Sequence, residues 1–208
     1  MMNRKSSIPV FIVLIALLVS SASAYVLLSP RRTWDGAVNI TVDNRGNSTI
    51  TDSDGGGTAV VSAITSNAAW NGAGTGTRVT AQRGSVAGFT LGDRVVMLNF
   101  RDPIHACNGN CLAATFTGYF EPRGDGTNRI YDADIVTNPR NPLTSTREPD
   151  GCSGEYYAEG IFVHEVGHVL GLAHSNVSGA TMFPSVSACN NNPASTEADD
   201  EAGINDLY

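Results

Sequence analysis

Three imidazoles and one carboxylate stand close together in the segment His164-Glu165-Val166-Gly167-His168-Val169-Leu170-Gly171-Leu172-Ala173-His174-Ser175. His164 and His168 are four residues apart. On a helix that spacing is about 40° of rotation and about 6 Å of rise, so both rings face one side. Two neutral imidazole nitrogens so placed can grip a single Zn²⁺. Glu165 sits one position round, where it can reach a metal-bound water without joining the coordination shell. Gly171 tolerates positive φ and lets the chain leave the helix sharply, and the turn returns His174 as a third ligand. Three protein ligands leave one position open, which marks a catalytic zinc rather than a closed structural one. A bare HExxH arises by chance, but HExxHxxGxxH fixes five positions in eleven. It uses every histidine of the chain except His105.

These residues need a helix, and the pattern supplies one from about Ala158 to Leu172, stopped at Gly171. Upstream, Val38-Asn39-Ile40-Thr41-Val42 alternates as a half-buried strand does. Val60, Val61, Ile64, Ala68 and Ala69 recur at helical spacing, which predicts a helix over Thr58 to Trp70. Arg78 to Ala81, Val95 to Phe100, Leu112 to Phe120 and Ile130 to Val136 read as four further strands. A loop rich in Asn and Pro runs from Asn138 to Gly154, and Thr196 to Tyr208 reads as a last helix, with Thr196 as its cap and Asp199 three residues on. Strand, helix, four strands, helix, helix is the order of a single α/β or α+β domain.

Composition narrows the field. The 208 residues carry 13 Lys+Arg against 20 Asp+Glu, for a net charge of −7, and Lys5 is the sole lysine. An acidic chain without a basic cluster argues against binding nucleic acid or anionic lipid. Residues 1–24 read as a secretory signal peptide: Arg4 and Lys5, then the apolar run Ile8 to Val19, then Ala22-Ser23-Ala24. That run is short against the roughly 20 residues that span a bilayer. Its removal predicts a mature domain at 25–208 and takes the charge from −7 to −9. The even set Cys107, Cys111, Cys152 and Cys189 then reads as two disulfides, with three pairings open.

HExxHxxGxxH followed by a methionine turn is similar to the metzincin pattern. Ser175 after the third histidine, Met182 within Ala180-Thr181-Met182-Phe183-Pro184, and Asp199 to Tyr208 resemble the matrixin branch. Leu112 to Phe116 is similar to that family's substrate-binding edge strand, and Asp134-Ile135-Val136 to the strand after it. The resemblance implies an α+β fold: a twisted, mainly parallel five-stranded sheet with an antiparallel edge strand, an active-site helix, a Met-turn and a C-terminal helix. It implies His164, His168 and His174 as zinc ligands, Glu165 as general base and then acid, and Met182 as an apolar floor. Pro184, Ser185 and Val186 would line one wall of the pocket for the residue after the scissile bond. A peptide would add itself as a strand beside Ala113 and Ala114. Ala114 and Val136 stand where the family's second, structural zinc takes histidines, so one zinc is expected. Asp125, Asn128, Asp132 and Asp134 could ligate Ca²⁺ through oxygen, although Asp and Asn are common in plain turns.

The expectation is thus a secreted, extracellular, monomeric zinc endopeptidase that acts on a protein or peptide. It binds no nucleic acid, and no membrane once the signal is removed. A zinc-containing binding module without turnover is the rival, and the intact Glu165 speaks against it. A narrow self-processing or toxin protease is a third reading.

Overall fold

The computed structural model describes residues 24–74, 79–86 and 88–208. Of the leader read at 1–24, all but Ala24 lies outside the described residues, as does Arg78 of the second expected strand. After the short β1 (Arg32–Thr33), the alternating run forms β2 (Val38–Asp43), with Val38, Ile40 and Val42 buried. β3 (Val79–Gly84) and β4 (Val96–Asn99) flank β2 in parallel, and β6 (Asn128–Thr137) lies parallel beyond β4. β5 (Ala113–Tyr119) runs antiparallel along β6, pairing Ala113 with Thr137 and Thr115 with Ile135. β1 adds a parallel pair at the start of β6. This is the expected α+β fold: a mainly parallel sheet of five principal strands with an antiparallel edge strand.

Two helices, α1 (Gly57–Ile64) and α2 (Ala158–Leu170), pack on the sheet and on each other. The core joins Ile40, Leu98 and Ile135 of the sheet to Val60 and Ile64 of α1 and to Phe162 and Val166 of α2. Phe100 and Phe162 meet edge to face, with centroids 5.3 Å apart. Burying each such side chain contributes about 1.5–3 kcal/mol, so α2 is held chiefly by the burial of its apolar face and not by helix propensity.

Three boundaries differ from the sequence reading. The helix expected to reach Trp70 ends at Ile64, because Thr65 Oγ1 donates back to the Val61 carbonyl (2.7 Å) and Ser66 Oγ accepts the Ala68 N–H (3.0 Å). Such side chains compete with the helical ladder. Ala69 and Trp70 are still buried, Trp70 from a 3₁₀ turn at Trp70–Gly72, so the apolar rhythm outlives the helix. The C-terminal helix α3 (Ala198–Leu207) is capped at Glu197 rather than Thr196, with Asp200 accepting the Glu197 N–H at 3.0 Å. The Thr196 N–H is used elsewhere, on the Ala68 carbonyl. Finally, the 138–154 loop is not free of structure: β7 (Leu143–Thr144) pairs in parallel with β8 (Tyr156–Tyr157), just ahead of α2. The cysteines pair as Cys107–Cys111 and Cys152–Cys189.

Gly171 ends α2 at φ +109°. A Cβ there would be strained and would overlap the Arg32 carbonyl oxygen. Immediately beyond it, Leu27 bridges Leu172, and the Ala173 N–H reaches the Val26 carbonyl (2.7 Å), so the N-terminal segment clamps the turn towards His174. Gly171→Ala is therefore expected to cost more than about 1 kcal/mol. In thermal unfolding this should appear as a Tm lower by at least about 2 °C.

Candidate metal centre

Helix α2 carries His164 and His168 on one face, and the Gly171 turn brings His174 against them. Ring centroids lie 4.9 Å apart for His164 and His168, 5.2 Å for His164 and His174, and 4.8 Å for His168 and His174. The candidate ligand atoms all fall within 4.8 Å of one another. His168 Nε2 and His174 Nε2 are 3.2 Å apart, close to the roughly 3.3 Å that two nitrogens at tetrahedral Zn–N distances would show.

Backbone carbonyls orient two of the rings. His164 Nδ1 donates to the Thr181 carbonyl at 2.6 Å, and His168 Nδ1 to the Leu172 carbonyl at 2.8 Å. With Nδ1 protonated, the Nε2 lone pairs are left for a metal. Burial lowers the pKa of both rings to about 4, and it lowers that of His174 too, so all three are neutral at pH 7. Neutral imidazoles with converging lone pairs fit a zinc ion.

The Thr181 carbonyl is itself held in place. Asp200, 1% exposed, accepts the Thr181 N–H (2.7 Å) through one oxygen and the Met182 N–H (2.9 Å) through the other. Ser175 ties the two halves of the site, its N–H on the Met182 carbonyl (2.8 Å) and its hydroxyl on Asp199 (2.7 Å). Met182 is buried beside α2. A Cβ at Gly167 would overlap Met182 Sδ and lie 2.7 Å from Trp70 Cζ2, so the close approach requires glycine. Trp70 Nε1 in turn donates to the Val163 carbonyl at 2.7 Å.

Glu165 is buried, and burial pushes its carboxyl pKa up. Its Oε2 accepts the Thr115 hydroxyl of β5 at 2.5 Å. A groove of about 600 Å³ runs past it between β5 and the segment after Met182. Ala113, Pro184, Ser185 and Val186, all read from the sequence, line it, while Ala114 does not. Tyr156 and Ile161 line it as well, without having been foreseen. Asp200 and Thr115 were also missed as site-building residues. Asp200 had a signal, an acid at N3 of the last helix, whereas Thr115 had none, since Thr117 on the same strand bears the same hydroxyl.

The four candidate calcium ligands do not converge. Asp125 binds the N–H and hydroxyl of Thr127 within its own exposed turn. Asn128 starts β6, about 13 Å of strand from Asp132. Asp132 and Asp134 share a face and anchor the preceding loop through the Gly92 and Thr90 N–H groups. Burial, with Asp132 and Asp93 nearby, raises the pKa of Asp134 to about 6.

The Matrixin family model matches residues 32–208, and the chain belongs to that family. It is thus a domain of matrixin type. It is 46% identical over 50 residues to Metalloendoproteinase 5-MMP of Arabidopsis thaliana, covering 24% of this chain and 14% of that protein. It is 48% identical over 48 residues to Macrophage metalloelastase of Oryctolagus cuniculus, covering 23% and 10%. With Matrilysin of Rattus norvegicus the identity is 40% over 63 residues, covering 26% and 24%. Each match thus spans a quarter or less of the relative's own length.

The depressed imidazole values fix a sign. Free histidine titrates near 6.5, so between pH 6.5 and 4 the unfolded chain binds protons that folded His164 and His168 refuse. Metal-free protein should therefore be fully stabilised by these groups above pH 6.5 and lose that contribution as pH falls to 4. Urea unfolding midpoints across this window should report it, with a shallower slope in a His164→Gln/His168→Gln double variant.

Proposed function

We propose that the protein is an exported zinc-dependent endopeptidase, with residues 1–24 as a removed signal peptide and 25–208 as a single catalytic domain. The observation that carries this reading is the convergence of three neutral imidazoles beside a buried carboxylate, at the wall of a groove bounded by an edge strand. The two disulfides suit an oxidising compartment. The net charge of −7 gives no purchase on nucleic acid or anionic lipid. We take the working form to be a monomer.

In this reading His164, His168 and His174 hold the zinc, and Met182 packs beneath it. Bound zinc would act as a Lewis acid and bring a water's pKa down towards about 7. Glu165 takes the proton of the attacking water and later returns it to the leaving amine, a role that a raised carboxyl pKa suits. The substrate backbone adds to the outer edge of β5 near Ala113. The side chain after the scissile bond enters between Pro184, Ser185 and Val186.

Casein cleavage should stop on chelation and return with Zn²⁺. Glu165→Gln should keep its zinc and lose about 10²–10⁴-fold in kcat. His168→Ala should lose the zinc itself, measured as metal content. A Glu165→Gln protein that cuts as fast as wild type would end this mechanism, and a wild-type protein that binds zinc but cuts nothing would favour the binding module.

A further inference from the structure

Thr115 makes one contact that the proposed mechanism has not used. It is the third residue of β5, the strand that borders the groove. Its hydroxyl lies 2.5 Å from Glu165 Oε2 and 3.2 Å from the Glu165 backbone carbonyl. A hydroxyl has one hydrogen, and the shorter contact to a charged acceptor takes it. Glu165 Oε1 accepts no hydrogen bond from any described residue. The two carboxylate oxygens are therefore unlike: one is fixed to the sheet and the other has no partner among the described residues.

The donor is rigid. Threonine is stiff at χ1, and β5 is paired with β6 along its whole length. Glutamate, by contrast, brings three side-chain torsions from a helix, and a proton acceptor that swings loses the alignment on which transfer depends. Thr115 ties that acceptor to the same strand that is to align the peptide, so carboxylate and scissile bond share one frame.

We propose that Thr115 is a positioning residue: its hydroxyl holds Glu165 by Oε2 and leaves Oε1 as the oxygen that takes and returns the proton. This rests on the reading of Glu165 as the general base. No bond to Thr115 is made or broken, and it touches neither substrate nor metal.

The test uses full-length protein loaded with zinc, and four variants: Thr115→Val, Thr115→Ser, Glu165→Gln and the double variant Thr115→Val/Glu165→Gln. Valine keeps the shape and removes the donor. Thr115→Val should retain wild-type zinc content and KM and lose about 10- to 100-fold in kcat. Thr115→Ser should restore most of the loss. On the Glu165→Gln background the valine should cost nothing more, because its effect passes through the carboxylate. Should valine prevent folding, Thr115→Ala takes its place with the same readouts. The proposal falls if Thr115→Val keeps wild-type kcat, or if serine is as poor as valine. It also falls if only KM rises, which would make Thr115 a structural part of the substrate strand, or if the double variant is clearly slower than Glu165→Gln. Wild-type turnover by Glu165→Gln would remove the general-base reading, and this proposal with it. A dead Glu165→Gln beside a fully active Thr115→Val removes the role of Thr115 alone.

Discussion

Asp200 is almost wholly withdrawn from water, yet its two oxygens accept three backbone N–H groups, from Glu197, Thr181 and Met182. Burying a lone carboxylate is costly, and charge-assisted hydrogen bonds of this kind offset it. The geometry of the metal pocket follows from that arrangement. By fixing Thr181, Asp200 aims the carbonyl that orients His164; by fixing Met182, it sets the residue packed against Gly167. The last helix therefore acts on the first imidazole through one carbonyl, although α3 contributes no atom to the cluster. Loss of the carboxylate would leave the Met-turn N–H groups unpaired inside the protein, and backbone donors so buried are rarely left without partners.

The packing of the Met-turn against α2 is set by size instead of charge. Gly167 is the position where helix, Met182 and Trp70 come closest, and Trp70 hydrogen-bonds the helix carbonyl one turn earlier. Polar anchoring and close packing together leave the imidazoles little freedom to reorient. Sites of this kind bind well because the ligands are arranged before the metal arrives.

The legible parts of the sequence were those with a local signature. The HExxHxxGxxH spacing placed α2 and its three imidazoles because one helix and one glycine turn do all the work. The alternation of Val38, Ile40 and Val42 likewise located β2. What escaped depended on partners distant in the chain. Nothing near Thr115 says that it will lie against Glu165, 50 residues on. The two-residue strands β7 and β8 exist only as each other's partner. The apolar rhythm through Trp70 correctly marked buried residues but not the point where Thr65 and Ser66 break the helix. Ala113 and Ala114 both lie on the strand expected to receive the peptide, but alternate residues of a strand face opposite ways, and of the two Ala113 lines the groove.

The Cys152–Cys189 bond closes a covalent ring around the whole of α2, the turn at Gly171, His174 and Met182. With its ends 37 positions apart in the sequence, such a ring removes unfolded-state entropy worth about 4 kcal/mol on the loop-closure account. It also means that the oxidised chain, even when unfolded, keeps its three imidazoles in a small volume. Any grip that such a denatured ring keeps on a divalent ion subtracts from the stability the ion gives the folded state. Covalent closure and metal binding thus overlap in what they stabilise, and their contributions should sum to less than their separate values.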